Sequence, residues 1–328
     1  MRLIRKLLSG MLLLAMLFAA FAGYQVTRPL TLPTQPFEFS LMQGSSLTSA
    51  ANQLQQKGVL PDSWALVWLA RLLGKATEIK AGNYQLDQSV TLLELLNIMT
   101  KGQVNQEKLV IIEGWTFKQL RAALNNTPAI RHDSAKLSDS ELLHKLGVPI
   151  EHVEGQFFPD TYYFSSGTSD LALLKRAYQT MQTVLQDSWQ ARAPGLPLKS
   201  PYHALILASI VEKETGQAND RAMIAAVFIN RLRRGMMLQT DPTVIYGMGD
   251  KFKGNLRRRD LLADTPYNTY KRYGLPPTPI ALPGLAALQA TLHPASTNAL
   301  YFVARGDGSS EFSGSLILHN RAVDRYQK

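Results

Sequence analysis

The N-terminus sets the first limit on what this chain can become. Arg2, Arg5 and Lys6 precede a stretch from Leu7 to Thr27 that contains no charged residue and is closed by Arg28. As a helix rising about 1.5 Å per residue, it covers about 30 Å, the thickness of a bilayer core. Positive charge ahead of the segment predicts a cytoplasmic N-terminus (1–6), one transmembrane helix (7–27) and everything after it outside the cytoplasm. A cleaved signal peptide is the competing reading, because Ala20-Phe21-Ala22 has the small-x-small form of a cleavage site. The apolar run is longer than the usual core of about 7–15 residues in a signal peptide, which favours a retained anchor.

The rest of the 328 residues, 45% hydrophobic overall, is enough for a packed core and two or three domains. Net charge is +10 and the isoelectric point near 9.7, so polyanions are the expected partners: a membrane surface, a cell-wall polymer or nucleic acid. The charge is dispersed apart from Lys251, Lys253 and Arg257 to Arg259, with no helix-turn-helix or aromatic RNA-binding pattern. Nucleic acid is therefore not an expected partner. The absence of cysteine excludes thiolate chemistry and zinc–cysteine sites.

Periodicity predicts an α+β chain. Residues 28–38, rich in proline and threonine, read as a linker. In 39–105, Leu47, Ala50, Ala51 and Leu54 mark one helix stopped at Gly58, and a second follows Pro61-Asp62 with Trp64, Val67, Trp68, Leu72 and Leu73. Ala81 to Leu86 reads as a strand. A third helix carries Leu92, Leu95, Leu96 and Met99 and is opened by a capping box at Thr91 and Glu94. This pattern resembles a LysM-like module, and a generic packing module fits it as well. The larger part, 106–328, begins with a strand at Leu109 to Ile112 and has long helices at Leu171 to Trp189 and Pro201 to Glu214. Glu154 to Tyr162 reads as an irregular, unusually aromatic loop. A strand is expected at Leu300 to Ala304.

Chemistry concentrates at Ser200 to Gly216, SPYHALILASIVEKETG, where Ser200 is a natural N-cap and Pro201 suits the first helical position. At about 100° per residue, Glu212 and Glu214 point about 160° apart. Leu207, Ile210 and Val211 fall on the side of Glu214, so that carboxylate ends the most apolar stripe. Partial desolvation there raises its pKa toward what a general acid needs near neutral pH. An acid at a helix C-terminus also opposes the helix dipole. An ordinary helix-end glutamate remains the alternative. Asp241, before Pro242, fits a helix start, and Tyr267-Asn268-Thr269-Tyr270 suits either a sugar ring or a packed loop. His319 and Asn320 are weaker candidates. The chain contains no G-x-S-x-G, P-loop, H-E-x-x-H or G-x-G-x-x-G sequence and no clustered metal-ligand set, so no metal or cofactor is expected.

ASIVEKET at Ala208 to Thr215, FINRL at Phe228 to Leu232, LQTDPTVIYG at Leu238 to Gly247, YNTY at Tyr267 to Tyr270 and GLPP at Gly274 to Pro277 closely resemble the YceG-like (MltG) endolytic murein transglycosylase family. The similarity extends to EGQFFPDTYYF, to Tyr301-Phe302-Val303 and to His319-Asn320, and covers nearly the whole chain. The family's catalytic glutamate, the second of its EKE motif, falls on Glu214. The resemblance implies that Glu214 protonates the glycosidic oxygen between N-acetylmuramic acid and N-acetylglucosamine and then takes the C6 hydroxyl proton as that oxygen closes on C1. One carboxylate then suffices, where a typical glycosidase needs two. Asn230, Gln239, Asp241, Tyr246, Tyr267, Asn268 and Tyr270 would line the groove, peptidoglycan would be the substrate, and peptidoglycan synthases would be neighbours at the inner membrane. Thr278, Leu282 and Gly314 depart from residues common in the family, at positions that touch loop shape. Two rivals remain: a muramidase pairing Glu214 with Glu154 or Asp160, and a non-catalytic glycan-binding anchor. For the topology, protease added to spheroplasts should digest the large domain, whereas a mature N-terminus near Gly23 would establish signal cleavage instead.

Overall fold

The computed structural model describes residues 26–35, 37–41, 45–86, 88–101, 107–148, 152–164 and 166–327, with Gly10, Met11, Met16, Gly23 and Tyr24 besides. The expected membrane span, 7–27, falls largely outside the described residues, and among those described no helix is long and apolar enough to cross a membrane. The fold is α+β: helices predominate, and the strands pair into three small two-stranded sheets. Contacts divide the chain into two compact units, Met1–Lys108 with Ala129–Arg131 and Tyr163–Thr168, and Leu109–Pro128 with His132–Tyr162 and Ser169–Lys328.

In the first unit β1 (Phe37–Leu41) is followed by α1 (Leu47–Gln56), α2 (Ser63–Leu72), β2 (Gly82–Leu86) and α3 (Leu92–Lys101). The two strands pair antiparallel, Phe37 opposite Leu86 and Leu41 opposite Gly82. Phe37, Phe39 and Leu41 alternate inward from one strand, Tyr84 and Leu86 from the other, as a pleat with one buried face requires. Phe39 and Tyr84, directly opposite each other, stack at 5.0 Å. The expected capping box opens α3: Thr91 N donates to Glu94 Oε2 at 2.8 Å, and Glu94 N to Thr91 Oγ1 at 3.2 Å. The segment read as a linker is held at both ends. Leu30 N donates to Val90 O at 2.8 Å, Pro29 bridges to Thr91, and β1 begins at Phe37. On α2, Leu66 and Ala70 face the core while Trp64, Trp68 and Leu72 stand outside it.

β3 (Glu107–Val110) and β4 (Thr161–Phe164) pair with each other, so the aromatic segment read as irregular ends in a strand. The second unit then runs α4 (Phe117–Asn125), α5 (Asp139–Leu146), α6 (Asp170–Gln190), α7 (Pro201–Glu214), α8 (Ala218–Arg233), α9 (Asp241–Met248), α10 (Arg258–Leu262), α11 (Leu285–Leu292), the antiparallel pair β5 (Tyr301–Ala304) and β6 (Ser310–Ser313), and α12 (Leu316–Tyr326). At the centre is α7, buried at every position from Ala204 to Val211. Leu207, Ile210 and Val211 pack with Ile224, Phe228 and Leu238, while Leu205 and Ala208 pack with Met181, Leu185 and Leu288. A helix enclosed on all sides has no single apolar stripe. The apolar side assigned to Glu214 is therefore matched by a second one on the side of Glu212, made by neighbours far away in sequence. Ser200 caps the helix as expected, its hydroxyl accepting from His203 N at 3.3 Å.

The start of the EGQFFPDTYYF segment depends on Gly155, which sits at φ +79. A Cβ there would lie 2.5 Å from Pro279 Cβ. Gly147, at φ +65 with open space around it, carries the conformational requirement without the crowding. Gly147→Ala should cost about 1 kcal/mol and Gly155→Ala about 2–4 kcal/mol, read from urea unfolding midpoints.

Candidate active site

Glu214 ends α7 at the point where the helix leaves the core. One of its oxygens, Oε1, accepts a hydrogen bond from the Thr240 hydroxyl. Burial pushes its pKa up to about 7. The Thr240 bond opposes that shift, the Asp241 carboxylate adds to it, and the Arg231 charge opposes it. Glu212 has a different task. Its Oε2 accepts from Gly284 N at 2.9 Å, at the N-terminus of α11, where a carboxylate meets the positive end of the helix dipole. Burial raises its pKa as well, against the pull of that bond.

Thr240 is held by its own surroundings. Its N–H donates to Thr269 Oγ1 at 3.1 Å, and its carbonyl accepts from Thr243 Oγ1 at 2.8 Å. All three threonines are buried. Gln239, just before it, sits at φ +51, the positive φ of a non-glycine residue among those described. Its N–H donates to Thr269 O at 3.1 Å and its Oε1 accepts from Arg231 Nη1 at 3.2 Å. A left-handed glutamine costs about 1–2 kcal/mol and persists where such neighbours fix it.

Arg231, buried on α8, donates to Leu300 O at 2.7 Å and to Leu238 O at 2.9 Å, and lies 5.1 Å from the centre of the Tyr301 ring. His319 stacks on Tyr301 at 5.2 Å, and burial, with the Arg231 charge, lowers its pKa. Tyr270 donates to Asp241 Oδ1 at 2.6 Å, and its own pKa is pushed up by burial and by that carboxylate. These groups surround one open cavity of about 580 Å³, with Glu214 in its wall. It offers a protonatable carboxyl, amide, phenol and carboxylate groups, and aromatic surface: equipment for proton transfer to a bulky polar substrate.

Of the residues expected to bind substrate, Gln239, Asp241 and Tyr270 share this cavity with Glu214. Asn230 lies outside its lining and donates its amide to Thr297 O at 2.8 Å and Ala299 O at 3.0 Å, fixing the approach to β5. Asn268 is fully buried, its Nδ2 donating to Leu261 O at 3.0 Å and Ala263 O at 2.6 Å. Tyr246 and Tyr267, edge to face at 4.9 Å, line a second cavity of about 910 Å³ together with Glu154. There Glu154 accepts from Phe117 N at 2.9 Å and Tyr246 Oη at 3.1 Å, and burial pushes its pKa up to about 7. Asp160 is exposed and accepts from Thr161 N at 2.7 Å. Neither acid lines the cavity of Glu214; Asp241 does. Among the described residues no group of three potential ligands is placed to hold a metal ion.

Sequence reasoning missed Thr240, Arg231 and Tyr301. Each lies inside a motif it singled out, but nothing in the sequence distinguishes a buried arginine or threonine from a surface one.

The YceG-like family matches residues 39–325. The chain belongs to that family. It is 32% identical, over 88% of its length and 84% of the relative's, to a Bacillus subtilis protein named endolytic murein transglycosylase. A Streptococcus pneumoniae protein of the same name is 27% identical over 96% of this chain, which spans only 64% of that longer relative. The crystal structure of a yceG-like protein from Listeria monocytogenes superposes with a TM-score of 0.56 at 29% identity, covering 88% of this chain and 98% of that one. Membership of the YceG-like family extends over both compact units.

The local geometry makes a titration prediction. By carboxyl-resolved NMR, Glu214 should titrate near pH 7, and Thr240→Val should move its midpoint upward, because the lost hydrogen bond favoured the ionised form. Thr240→Ser should leave the midpoint in place. An unmoved midpoint in the valine variant would show the hydroxyl to be a bystander.

Proposed function

We propose that this protein is an endolytic peptidoglycan lytic transglycosylase that cuts the bond between N-acetylmuramic acid and N-acetylglucosamine inside glycan strands, with Glu214 as its acid and then its base. Family membership and two relatives bearing that name support the reading. The observation that carries the assignment of Glu214 is its desolvated carboxyl, with a pKa near 7, in the wall of the open cavity.

With Thr240 donating to Oε1, the proton of the neutral acid belongs on Oε2. From there it passes to the glycosidic oxygen as the C1–O bond breaks. Asp241, held by the Tyr270 hydroxyl that donates to it, supplies negative charge near the positive character that develops at C1. The Glu214 carboxylate then takes the proton of the C6 hydroxyl while that oxygen bonds to C1. The acid is regenerated, the muramic end becomes a 1,6-anhydro ring and no water is consumed. Gln239, with its oxygen held by Arg231, has its amide hydrogens left for the substrate. Tyr246, Tyr267, Asn230 and Asn268 belong to the walls and supports of the surrounding groove.

One observation favours a second reading. Asp241 gives the cavity the second carboxylate that a muramidase requires. In that reaction water would attack C1 and leave a reducing end.

The N-terminal segment 7–27 anchors the chain in the inner membrane as a single pass, with residues 1–6 cytoplasmic and the catalytic part periplasmic. The strand–helix–helix–strand order of the first unit supports a LysM-like reading, in which it adds affinity for glycan. Synthases of the same polymer are its natural neighbours.

Glu214→Gln should lower activity on purified glycan by at least about a thousandfold with the fold intact. Glu212→Gln, which keeps a carbonyl for Gly284 N, should retain most of it. The basic limb of the rate profile should fall tenfold per pH unit above about 7, since the reaction starts from neutral Glu214. Digestion in water carrying heavy oxygen should give unlabelled anhydro ends; label at C1 with a free reducing end would establish the muramidase, with Asp241 the next residue to replace.

A further inference from the structure

In the first unit, α2 is apolar almost all round: in SWALVWLARL only Ser63 and Arg71 are polar. Helices of that character are ordinarily enclosed. Here Leu66 and Ala70 are, yet Trp64 is 60% exposed, Trp68 64% and Leu72 83%. At about 100° per residue, Trp64, Trp68, Arg71 and Leu72 fall within about 100° of one another, forming one outward stripe. Contiguous exposed apolar surface of this kind marks a site of contact.

Three observations say what covers it. The first is where the chain enters the unit. Arg28 to Thr31 line one cavity together with Gly58 to Pro61, and Leu30 N is bonded to Val90 O at 2.8 Å. The end of the uncharged N-terminal segment is thus fastened beside the loop that leads into α2. Trp64 follows Pro61 by three residues, a reach of about 10 Å at most. The second is the residue chemistry. Tryptophan is enriched where membrane meets water, because it joins a large apolar ring to one hydrogen-bond donor. The third is charge: between residues 54 and 75 the basic residues are Lys57, Arg71 and Lys75, and the one acid is Asp62. A net positive, tryptophan-bearing apolar helix suits an anionic lipid surface.

We propose that the outward face of α2, Trp64, Trp68 and Leu72 with Arg71 beside them, rests in the headgroup region of the bilayer that holds the N-terminal segment. The proposal rests on the anchor reading above. It adds that the first unit lies down on the membrane, with α2 parallel to the surface, and does not hang from a free tether.

The cysteine-free chain makes the test clean. Leu72→Cys, Leu262→Cys and Leu13→Cys are each spin-labelled in the full chain and reconstituted in nanodiscs containing anionic lipid. Collisions with a water-soluble nickel chelate and with oxygen are then measured. Leu262, on α10 and 58% exposed, serves as the solvent reference. The label at position 72 should meet the nickel chelate at least about fivefold less often than the label at 262, and oxygen more often, as interfacial burial requires. Equal nickel access at 72 and 262, with the label at 13 in hydrocarbon, overturns the proposal and leaves the anchor standing. A label at 13 open to nickel overturns the anchor and with it the proposal's premise. Shielding at 72 that comes only on adding glycan strands assigns the face to glycan and removes the bilayer from it.

Discussion

A guanidinium inside a protein must find acceptors for its donors, because an unpaired buried charge costs several kcal/mol. Arg231 meets that demand with the carbonyls of Leu238 and Leu300, the side-chain oxygen of Gln239 and the face of Tyr301. Those partners come from the loop after α8 and from the entry and first residue of β5. One cation therefore draws together the segments that form the walls around Glu214. Replacing it with lysine, a point charge with no planar fork, would leave several of these acceptors unmet.

The same cation acts on the chemistry. Burial drives the Glu214 pKa upward, while Arg231 and the Thr240 hydroxyl hold that rise in check. The balance holds the pKa at about 7, which suits the proposed role of donating and then accepting a proton near neutral pH. Glu212, two residues earlier, is also raised by burial, yet its carboxylate is engaged by a backbone N–H at the start of α11. The two glutamates differ in their partners, which come from residues 26 positions away for Glu214 and 72 for Glu212.

This difference explains how much could be read from the sequence. The helices of the first unit, the caps at Ser200 and Thr91 and the long α6 and α7 follow from local spacing, and so were legible. Family motifs pointed to Glu214, and helix geometry independently favoured it. Periodicity placed Glu214 on a single apolar stripe, but α7 is enclosed on every side by helices from distant parts of the chain. The family resemblance suggested that Asn230 and Asn268 line the groove, while the fold engages both with main-chain carbonyls. Small amides are chosen equally for either task, and only the surrounding backbone decides between them. The strand Thr161–Phe164 was hidden because its neighbours Phe157, Phe158 and Pro159 break the alternation a strand would show.

Asn268 has a further effect on how the two cavities are walled. Its side chain fastens Leu261 and Ala263 on one side and the Tyr270 N–H on the other. Tyr267 faces the larger cavity and Tyr270 the cavity of Glu214. Two compartments within about 10 Å of each other thus share a partition pinned at its middle. An occupant of either compartment therefore meets a wall built on the same asparagine, and Tyr270 joins that wall to Asp241 beside the acid.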